Sequence, residues 1–244
     1  YLQNCLLGVC ESASMLGYNV LITTSNAHDI SELQSLVESN RVDGMLLTRA
    51  LEDDRALQYL SQANFPTALT GTCRYDNIIQ VDAAEKMTTL LIGKGFRRFA
   101  FLVKDMSYNV DRKRHEGFCR ALIKNGISEK DQLFYNGSIR MEFLDAIIEN
   151  IISKKVECII CGDDEICTMV MSRLQAEGYR IPKDVAIASL YNSTNLDCYS
   201  PAVTAVSVAA SQMGGTAVRQ LIQRLREEDD AGLRHFIPKI DKLT

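Results

Sequence analysis

The chain has 244 residues, of which 46% are hydrophobic, and a formal net charge of -4 at pH 7. This length allows one large core or two modest ones. The weak negative charge gives no electrostatic footprint for nucleic acid, so a DNA contact would need a basic module that this sequence does not contain. No apolar run approaches the length of a membrane span, and the first residues do not have a signal-peptide pattern. We therefore expect no membrane partner.

Cysteine usage favours a cytoplasmic protein. The eight cysteines are scattered, and most lie within apolar helix or strand patterns. Cys158 and Cys161 have CxxC spacing, but residues three apart in a strand point to opposite faces, so one metal ion could not bind both. We expect reduced, buried cysteines, with no metal site and no cofactor.

Hydrophobic periodicity and capping signals predict that helices and strands alternate along the chain. Helices are predicted over 2–16, 29–37, 54–62, 83–94, 111–125, 139–152, 163–178 and 210–226. Strands are predicted over 19–23, 42–48, 67–69, 78–81, 99–103, 132–135, 156–161, 185–190 and 235–240. A doubly wound domain normally opens with a strand, so the opening helix indicates that an initial strand is missing from this sequence.

The alternation also predicts the fold class. Strands and helices that alternate with short loops are typical of parallel sheets covered on both faces. About ten strands are too many for one comfortable open sheet, and no Pro/Gly-rich linker divides the chain. We therefore predict an α/β fold with two doubly wound parallel-sheet lobes that pack closely.

One βαβ unit, over residues 156–192, contains an acidic pair at its first strand-to-helix turn. Asp163 and Asp164 follow the predicted strand 156–161 and precede the helix. In open parallel sheets ligands bind at this end of the strands. A helix N-cap followed by a favourable first-turn charge explains the same two residues without any ligand.

The amino-acid sequence of several segments resembles the LacI/GalR transcriptional regulators. The effector domains of that family are built like the type I periplasmic sugar-binding proteins. The βαβ unit is similar to the family pattern aNDxxAxG…lxxxGxxVPxDvsvigfD. The family motif R-x-x-G-F-x-x-A-L stands here as RHEGFCRAL over 114–122. PAVTAV over 201–206 and MGGTA over 213–217 resemble the PpLTTv and mGxxA segments of the family.

This resemblance implies the organisation of the lobes. The first lobe would hold residues 1–97 and 208–235, and the second would hold 98–207 and 236–244. Three crossings would join them, near 97–99, 205–208 and 235–237. The family's initial strand and its DNA-binding helix-turn-helix are absent from this sequence. The expected partners are a small-molecule effector, a second copy in a homodimer, and DNA through that N-terminal module.

The resemblance also implies a ligand site. In the family, the motif arginine, which corresponds to Arg114 here, donates hydrogen bonds to ligand hydroxyls. The planar guanidinium group is well suited to this role, because its donors can bind two oxygens at once. Asp163 takes the place of a family Asn that contacts ligand, and Asp164 matches the Asp that follows it. Tyr191 replaces a family Asp that holds two sugar hydroxyls, which favours a ring-bearing ligand over a simple sugar. Asp82 matches a family VxxD segment, although a strand-to-helix N-cap also explains it.

Taken together, these features predict the effector-binding and dimerisation domain of a LacI/GalR-type bacterial transcription regulator. Its dimer surfaces would be the apolar stripe of the opening helix and the helix over 164–177. A transport-linked periplasmic sugar-binding protein of the same fold is the first alternative. The second is an enzyme on a doubly wound fold, although the sequence has no G-x-S-x-G, P-loop or H-E-x-x-H motif. We therefore expect no enzymatic activity.

Overall fold

A computed structural model describes the fold over residues 2–24, 29–48, 54–70, 78–137, 141–226, 234–236 and 240–243. Its helices are α1 (Leu2–Met15), α2 (Ser31–Glu38), α3 (Arg55–Gln62), α4 (Ile78–Gly93), α5 (Asn109–Lys124), α6 (Met141–Ser153), α7 (Asp164–Ala176), α8 (Thr194–Asp197) and α9 (Ala210–Arg226), with one 3-10 turn at Glu129–Asp131. Its strands are β1 (Met45–Leu47), β2 (Thr67–Thr70), β3 (Phe99–Val103), β4 (Leu133–Asn136), β5 (Cys158–Cys161), β6 (Ala186–Ser189), β7 (Thr204–Val208), β8 (Arg234–Phe236) and β9 (Ile240–Leu243).

The chain divides into two compact units. The first holds Tyr1–Asp76 and Ala209–Lys239, and the second holds Asn77–Val208 and Ile240–Thr244. The chain therefore passes between the units three times, and the predicted α/β fold with two lobes is confirmed.

The first crossing lies between residues 76 and 77, about twenty residues before the predicted boundary at 97. This part of the prediction was wrong because α4 belongs to the core of the second unit. Its buried Ala84 and Met87 pack in one apolar cluster with Phe99 and Phe118. The last crossing lies between 239 and 240, a few residues later than predicted.

The first unit contains a parallel sheet in the order β1-β2-β8. Helices α1 and α9 pack so closely in this unit that their backbones touch. A Cβ atom on Gly8 would lie 1.9 Å from the Ser211 carbonyl oxygen, and one on Gly214 would lie 2.1 Å from the Cys5 carbonyl oxygen. Glycine is therefore required at both positions.

Two predictions for the first unit were wrong. Residues 19–23 form no strand, because a strand needs a hydrogen-bonded neighbour and the described residues supply none for this segment. Leu21 and Ile22 are exposed as a result. The apolar stripe of α1 is also not a free surface, since Val9 and Ala13 are buried against Val218 and Ile222 of α9.

The second unit contains a six-stranded sheet in the order β4-β3-β5-β6-β7-β9. The first five strands run parallel, and β9 pairs antiparallel with β7. Alternate residues of β3 enter two separate apolar clusters: Ala100 and Leu102 face one, while Phe99, Phe101 and Val103 face the other. The sheet is therefore covered on both faces, as a doubly wound fold requires.

Residues 78–81 were predicted as a strand, but they form the first turn of α4. A four-residue apolar run has no distinctive period, and here it continues the helical pattern of Ala83, Ala84 and Met87. The predicted strand over 235–240 is also divided, with its ends in β8 and β9 and residues 237–239 outside the described part. No helix among the described residues is long and apolar enough to cross a bilayer.

Candidate functional site

The candidate site lies at the edge of the second unit's sheet where the carboxyl ends of its parallel strands meet. We call this the carboxyl edge and define it by the residues that follow β3, β5 and β6. In the parallel register Leu102 pairs with Cys161, and Cys161 pairs with Ser189. Two residues beyond these positions lie Lys104, Asp163 and Tyr191. The predicted residues Asp163 and Tyr191 thus occupy adjacent positions along one edge. Lys104 occupies the matching position on the other side of Asp163 and was missed in the sequence.

Asp163 has both carboxylate oxygens engaged. Oδ1 accepts a hydrogen bond of 2.9 Å from the Ile166 backbone N–H, which makes Asp163 the N-cap of α7 as predicted. Oδ2 lies 2.9 Å from the Lys104 ammonium nitrogen. The side chain therefore fixes the start of α7 and also holds a cation at the edge of the sheet.

Lys104 links two acidic residues around the start of α7. Besides Asp163, its ammonium group contacts the carboxylate of Glu165. Partial burial opposes the charge, but the hydrogen bonds to Glu165 and Asp163 outweigh it and raise the pKa of Lys104. The Lys104 side chain is about one-third exposed, so a ligand could reach it.

Asp164 occupies the first turn of α7 and is half-buried. A carboxylate at this position stabilises the helix, because the first turn carries unsatisfied N–H groups and the positive end of the helix dipole. The position of Asp164 therefore agrees with a favourable first-turn charge, which explains this residue without any ligand. Asp164 also directly follows Asp163 in the chain.

Arg114 lies in the second turn of α5, whose first residue is Asn109 rather than the predicted Asp111. Its guanidinium nitrogen lies 3.5 Å from a carboxylate oxygen of Asp111, and both side chains are largely buried, at 13% and 9% exposure. Asp111 also accepts a hydrogen bond of 3.1 Å from the Asp105 backbone N–H. Because Asp105 directly follows Lys104, this chain of contacts ties Arg114 to the carboxyl edge.

The two cations that precede Arg114 in this helix, Arg112 and Lys113, are also locally engaged. Lys113 pairs with Glu116 at 2.7 Å. Arg112 donates to the Met106 carbonyl oxygen at 3.2 Å. Each cation at the start of α5 therefore has a polar partner within the second unit, although a cation near a helix N-terminus is unfavourable by itself.

Tyr191 directly follows Leu190 at the end of β6, but its side chain is only 2% exposed. Its backbone is fixed by Ser189, whose hydroxyl donates to the Tyr191 carbonyl at 2.6 Å and accepts from the Tyr191 N–H at 3.3 Å. The tyrosine ring is therefore covered by protein in this structure, and the expected stacking on a ligand would require it to become accessible.

Asp82 does not end a strand, as the family pattern implied, but lies in the second turn of α4. It is half-buried. The reason is the one given above: residues 78–81 continue the helix. Asp82 is thus placed on a helix of the second unit, whereas the other four residues follow β3, β5 and β6.

Sequence reasoning missed Lys104 and the pairing of Arg114 with Asp111. Lys104 could have been found, since it is the first polar residue after an apolar strand and lies as far beyond β3 as Asp163 lies beyond β5. The pairing with Asp111 had no such signal, because this aspartate was predicted only as the first residue of the helix.

A model of the periplasmic binding protein-like domain matches residues 88–241. The chain belongs to this family. The PurR transcriptional repressor of Glaesserella parasuis serovar 5 is 21% identical over 250 residues, which cover 98% of this chain and 74% of that protein. The resemblance to LacI/GalR transcriptional regulators is thereby confirmed, and the relatives are regulators rather than enzymes.

Solved structures agree with this assignment. A LacI transcriptional regulator from Bacillus cereus subsp. cytotoxis NVH 391-98 superposes with a TM-score of 0.86 at 25% identity, over 99% of this chain and 90% of that one. The complex of the transcriptional regulator CelR with cellobiose gives a TM-score of 0.80 at 22% identity, over 98% and 78% of the two chains. At 22% identity, the similarity to CelR shows a common fold.

Proposed function

We propose that this chain is the effector-binding and dimerisation domain of a bacterial transcription regulator, and that a small polar molecule binds at the carboxyl edge of its second unit. The observation that carries the proposal is the common register of Lys104, Asp163 and Tyr191, with Arg114 tied to the same edge through Asp111. In the family this edge borders the cleft between two lobes. The cellobiose complex of CelR supports a ligand with several hydroxyl groups.

The charged groups suit a neutral ligand rich in hydroxyl groups. Arg114 and Lys104 offer directed donors, and Asp163 and Asp164 offer acceptors. The two cations are already paired with carboxylates, so a ligand hydroxyl would join an existing network and would not need to neutralise a bare charge. Such charge-assisted hydrogen bonds are stronger than those between neutral groups. Asp82 and Tyr191 would complete the site if the tyrosine ring becomes accessible.

The same proposal includes a homodimer, supported by exposed apolar residues on α1. Leu7 is 55% exposed and Met15 is 85% exposed, which is more apolar surface than one solvated helix needs. Helix α7 is a weaker candidate than the sequence indicated, because Ile166, Val170 and Leu174 are buried in the unit's own core. We therefore place the dimer contact on the exposed face of α1.

Ligand binding would control DNA binding only if the ligand prefers one conformational state of the dimer. DNA contact would be made by an N-terminal helix-turn-helix module, and the relatives PurR and CelR are HTH-type transcriptional regulators. Regulation then rests on a difference in affinity between two states and not on tight binding alone.

A thermal-shift screen tests this function directly. Sugars, disaccharides and nucleosides are added at millimolar concentration to the purified chain. A ligand at about 100 times its dissociation constant is expected to add about 2.7 kcal/mol to the free energy of unfolding. If no member of these neutral classes raises the melting temperature, the proposal of a small polar effector is wrong.

A further inference from the structure

A second concave region lies at the opposite edge of the same sheet, where β3, β5 and β6 begin. This amino-edge pocket has a volume of about 550 Å³, which is within the range of small-molecule sites. Its lining combines apolar and cationic side chains: Phe96, Ile152, Val156, Tyr179 and Pro182, and Lys94, Arg98, Lys155 and Lys183. All of these residues belong to the second unit.

The two carboxylates at the amino-edge pocket are already engaged by arginines. Glu157 accepts hydrogen bonds from the backbone N–H groups of Arg97 and Arg98, at 2.7 and 3.1 Å, and pairs with the Arg98 side chain at 3.3 Å. Asp184 accepts three hydrogen bonds from Arg180, at 2.8, 3.0 and 2.8 Å. Both carboxylates therefore have arginine partners, and the charge of Lys183 adds to the lowering of the pKa of Asp184.

Three lysines line the pocket. In the part of the chain that the structure describes, no carboxylate lies within 4.0 Å of the ammonium groups of Lys94, Lys155 or Lys183. Lys94 and Lys155 follow the carboxyl ends of α4 and α6, where a cation is favoured by the helix dipole. Lys183 follows no helix end, because α7 finishes at Ala176, so helix ends do not explain the whole cluster.

Two aromatic residues of the pocket lining are partly accessible. Phe96 and Tyr179 are both half-buried, so each leaves part of an aromatic ring facing outward. Aromatic side chains together with several cations that form no close ion pair suit a molecule that has a flat ring at one end and a negative group at the other. A hydroxyl-rich neutral ligand, by contrast, would leave the lysines without partners.

We propose that the amino-edge pocket binds a small molecule that carries a phosphate group on a ring-bearing body, that is, a nucleoside phosphate or a close analogue. Lys183, Lys155 and Lys94 would contact the phosphate, and the ring would lie over Phe96 and Tyr179. This site is separate from the carboxyl edge, because it lies at the other end of the same strands, and the inference does not rest on the effector function proposed above.

Adenosine monophosphate, adenosine and inorganic phosphate are the probes for this site, and isothermal titration calorimetry on the purified chain is the measurement. Adenosine monophosphate is expected to bind more tightly than adenosine or inorganic phosphate, because only adenosine monophosphate contacts both the lysines and the aromatic residues Phe96 and Tyr179. Its affinity should also fall as the salt concentration rises. Equal affinity for inorganic phosphate, or no measurable binding of adenosine monophosphate at millimolar concentration, would overturn the proposal.

Two double variants with the same change in charge locate the binding. Lys94→Met/Lys183→Met removes two pocket cations, and Lys86→Met/Lys154→Met removes two exposed cations that do not line the pocket. The first variant is expected to lose about tenfold or more in affinity for adenosine monophosphate, while the second stays within about threefold of wild type. Equal losses in both would show a nonspecific charge effect and contradict the site.

The Arg114→Ala variant separates this site from the carboxyl edge. If adenosine monophosphate loses its affinity in Arg114→Ala but not in Lys94→Met/Lys183→Met, the nucleotide binds at the carboxyl edge, and the amino-edge pocket is not its site. All the pocket substitutions replace exposed side chains. Matching circular dichroism spectra of the two double variants therefore serve as the check on folding.

Discussion

The two edges of the second unit's sheet carry their charges in different ways. At the carboxyl edge each cation has a carboxylate partner, Lys104 with Asp163 and Arg114 with Asp111. At the amino edge arginines bind the carboxylates, and Lys94, Lys155 and Lys183 have no carboxylate within 4.0 Å among the described residues. Paired charges form directed donors and acceptors that suit a neutral polar ligand, whereas unbalanced cations attract an anion.

The difference also separates structural from functional roles. Asp163 caps a helix and Asp111 fixes a loop, so residues at the carboxyl edge contribute to folding as well as to the proposed site. The lysines of the amino-edge pocket are exposed and support no comparable structure. Substitutions at the carboxyl edge should therefore affect stability as well as binding, whereas those in the pocket should affect mainly binding.

The largest expected effect is at Asp111. Asp111→Ala leaves the largely buried Arg114 side chain and the Asp105 N–H without this partner, and losing one member of a buried pair costs about 3 kcal/mol of unfolding free energy. Asp111→Asn keeps a hydrogen-bond acceptor and should cost less. Urea denaturation measures both. A loss below about 1 kcal/mol in Asp111→Ala would mean that this pair does not hold the carboxyl edge together.

A smaller effect is expected at Asp163, where two substitutions separate its two roles. Asp163→Ala removes the N-cap of α7 and should lower the free energy of unfolding by about 1 kcal/mol. Asp163→Asn keeps the cap, since asparagine is an equally good N-cap, and loses only the charge that faces Lys104. The asparagine variant should therefore stay within about 0.5 kcal/mol of wild type. Equal losses in the two variants would show that the ion pair, not the cap, dominates.

The proposed dimer contact on α1 provides a test in the other unit. Leu7→Glu places a charge on the exposed apolar face of α1 and should shift sedimentation from dimer to monomer, because a buried unpaired charge opposes association. Ile123→Glu is the matched control: Ile123 is 67% exposed on α5 and should leave the assembly unchanged. Monomers for the wild-type chain at micromolar concentration would contradict the proposed homodimer.

The smallest effect is a pH dependence at the amino edge. Hydrogen bonds from the Arg180 side chain and backbone lower the pKa of Asp184 from its usual 3.8 to about 2. A lowered carboxyl pKa stabilises the folded state above pH 3.8, and this contribution is lost as the pH falls towards about 2. Arg180→Met should weaken that acid dependence and return the pKa of Asp184 towards 3.8, as NMR titration can show. An unchanged titration would exclude Arg180 as the cause.

The second unit was the more predictable part of the fold. The strand at 99–103 agrees with β3 residue for residue, because a short apolar run lies between a glycine-containing turn and a polar residue. Asp163 was correctly placed as the N-cap of α7, since capping depends on local sequence. Local signals of this kind need no knowledge of distant parts of the chain.

Other elements depended on neighbours that local patterns cannot show. Residues 19–23 have a strand-like pattern but no pairing partner among the described residues, and 78–81 form part of a helix although their composition suits both. At the carboxyl edge, counting residues past each strand would have aligned Lys104 with Asp163. The contact between Arg114 and buried Asp111 required the actual path of the loop after β3.

The most direct test of the central claim is calorimetry at the carboxyl edge with any neutral ligand found by the thermal-shift screen. Arg114→Ala removes a charged donor from a largely buried position, which costs about 1.5–3 kcal/mol, so affinity should fall by about ten- to 150-fold. Lys113→Ala, which removes a neighbouring cation paired with Glu116, should bind as the wild type does. Unchanged affinity in Arg114→Ala would contradict a ligand site at this edge.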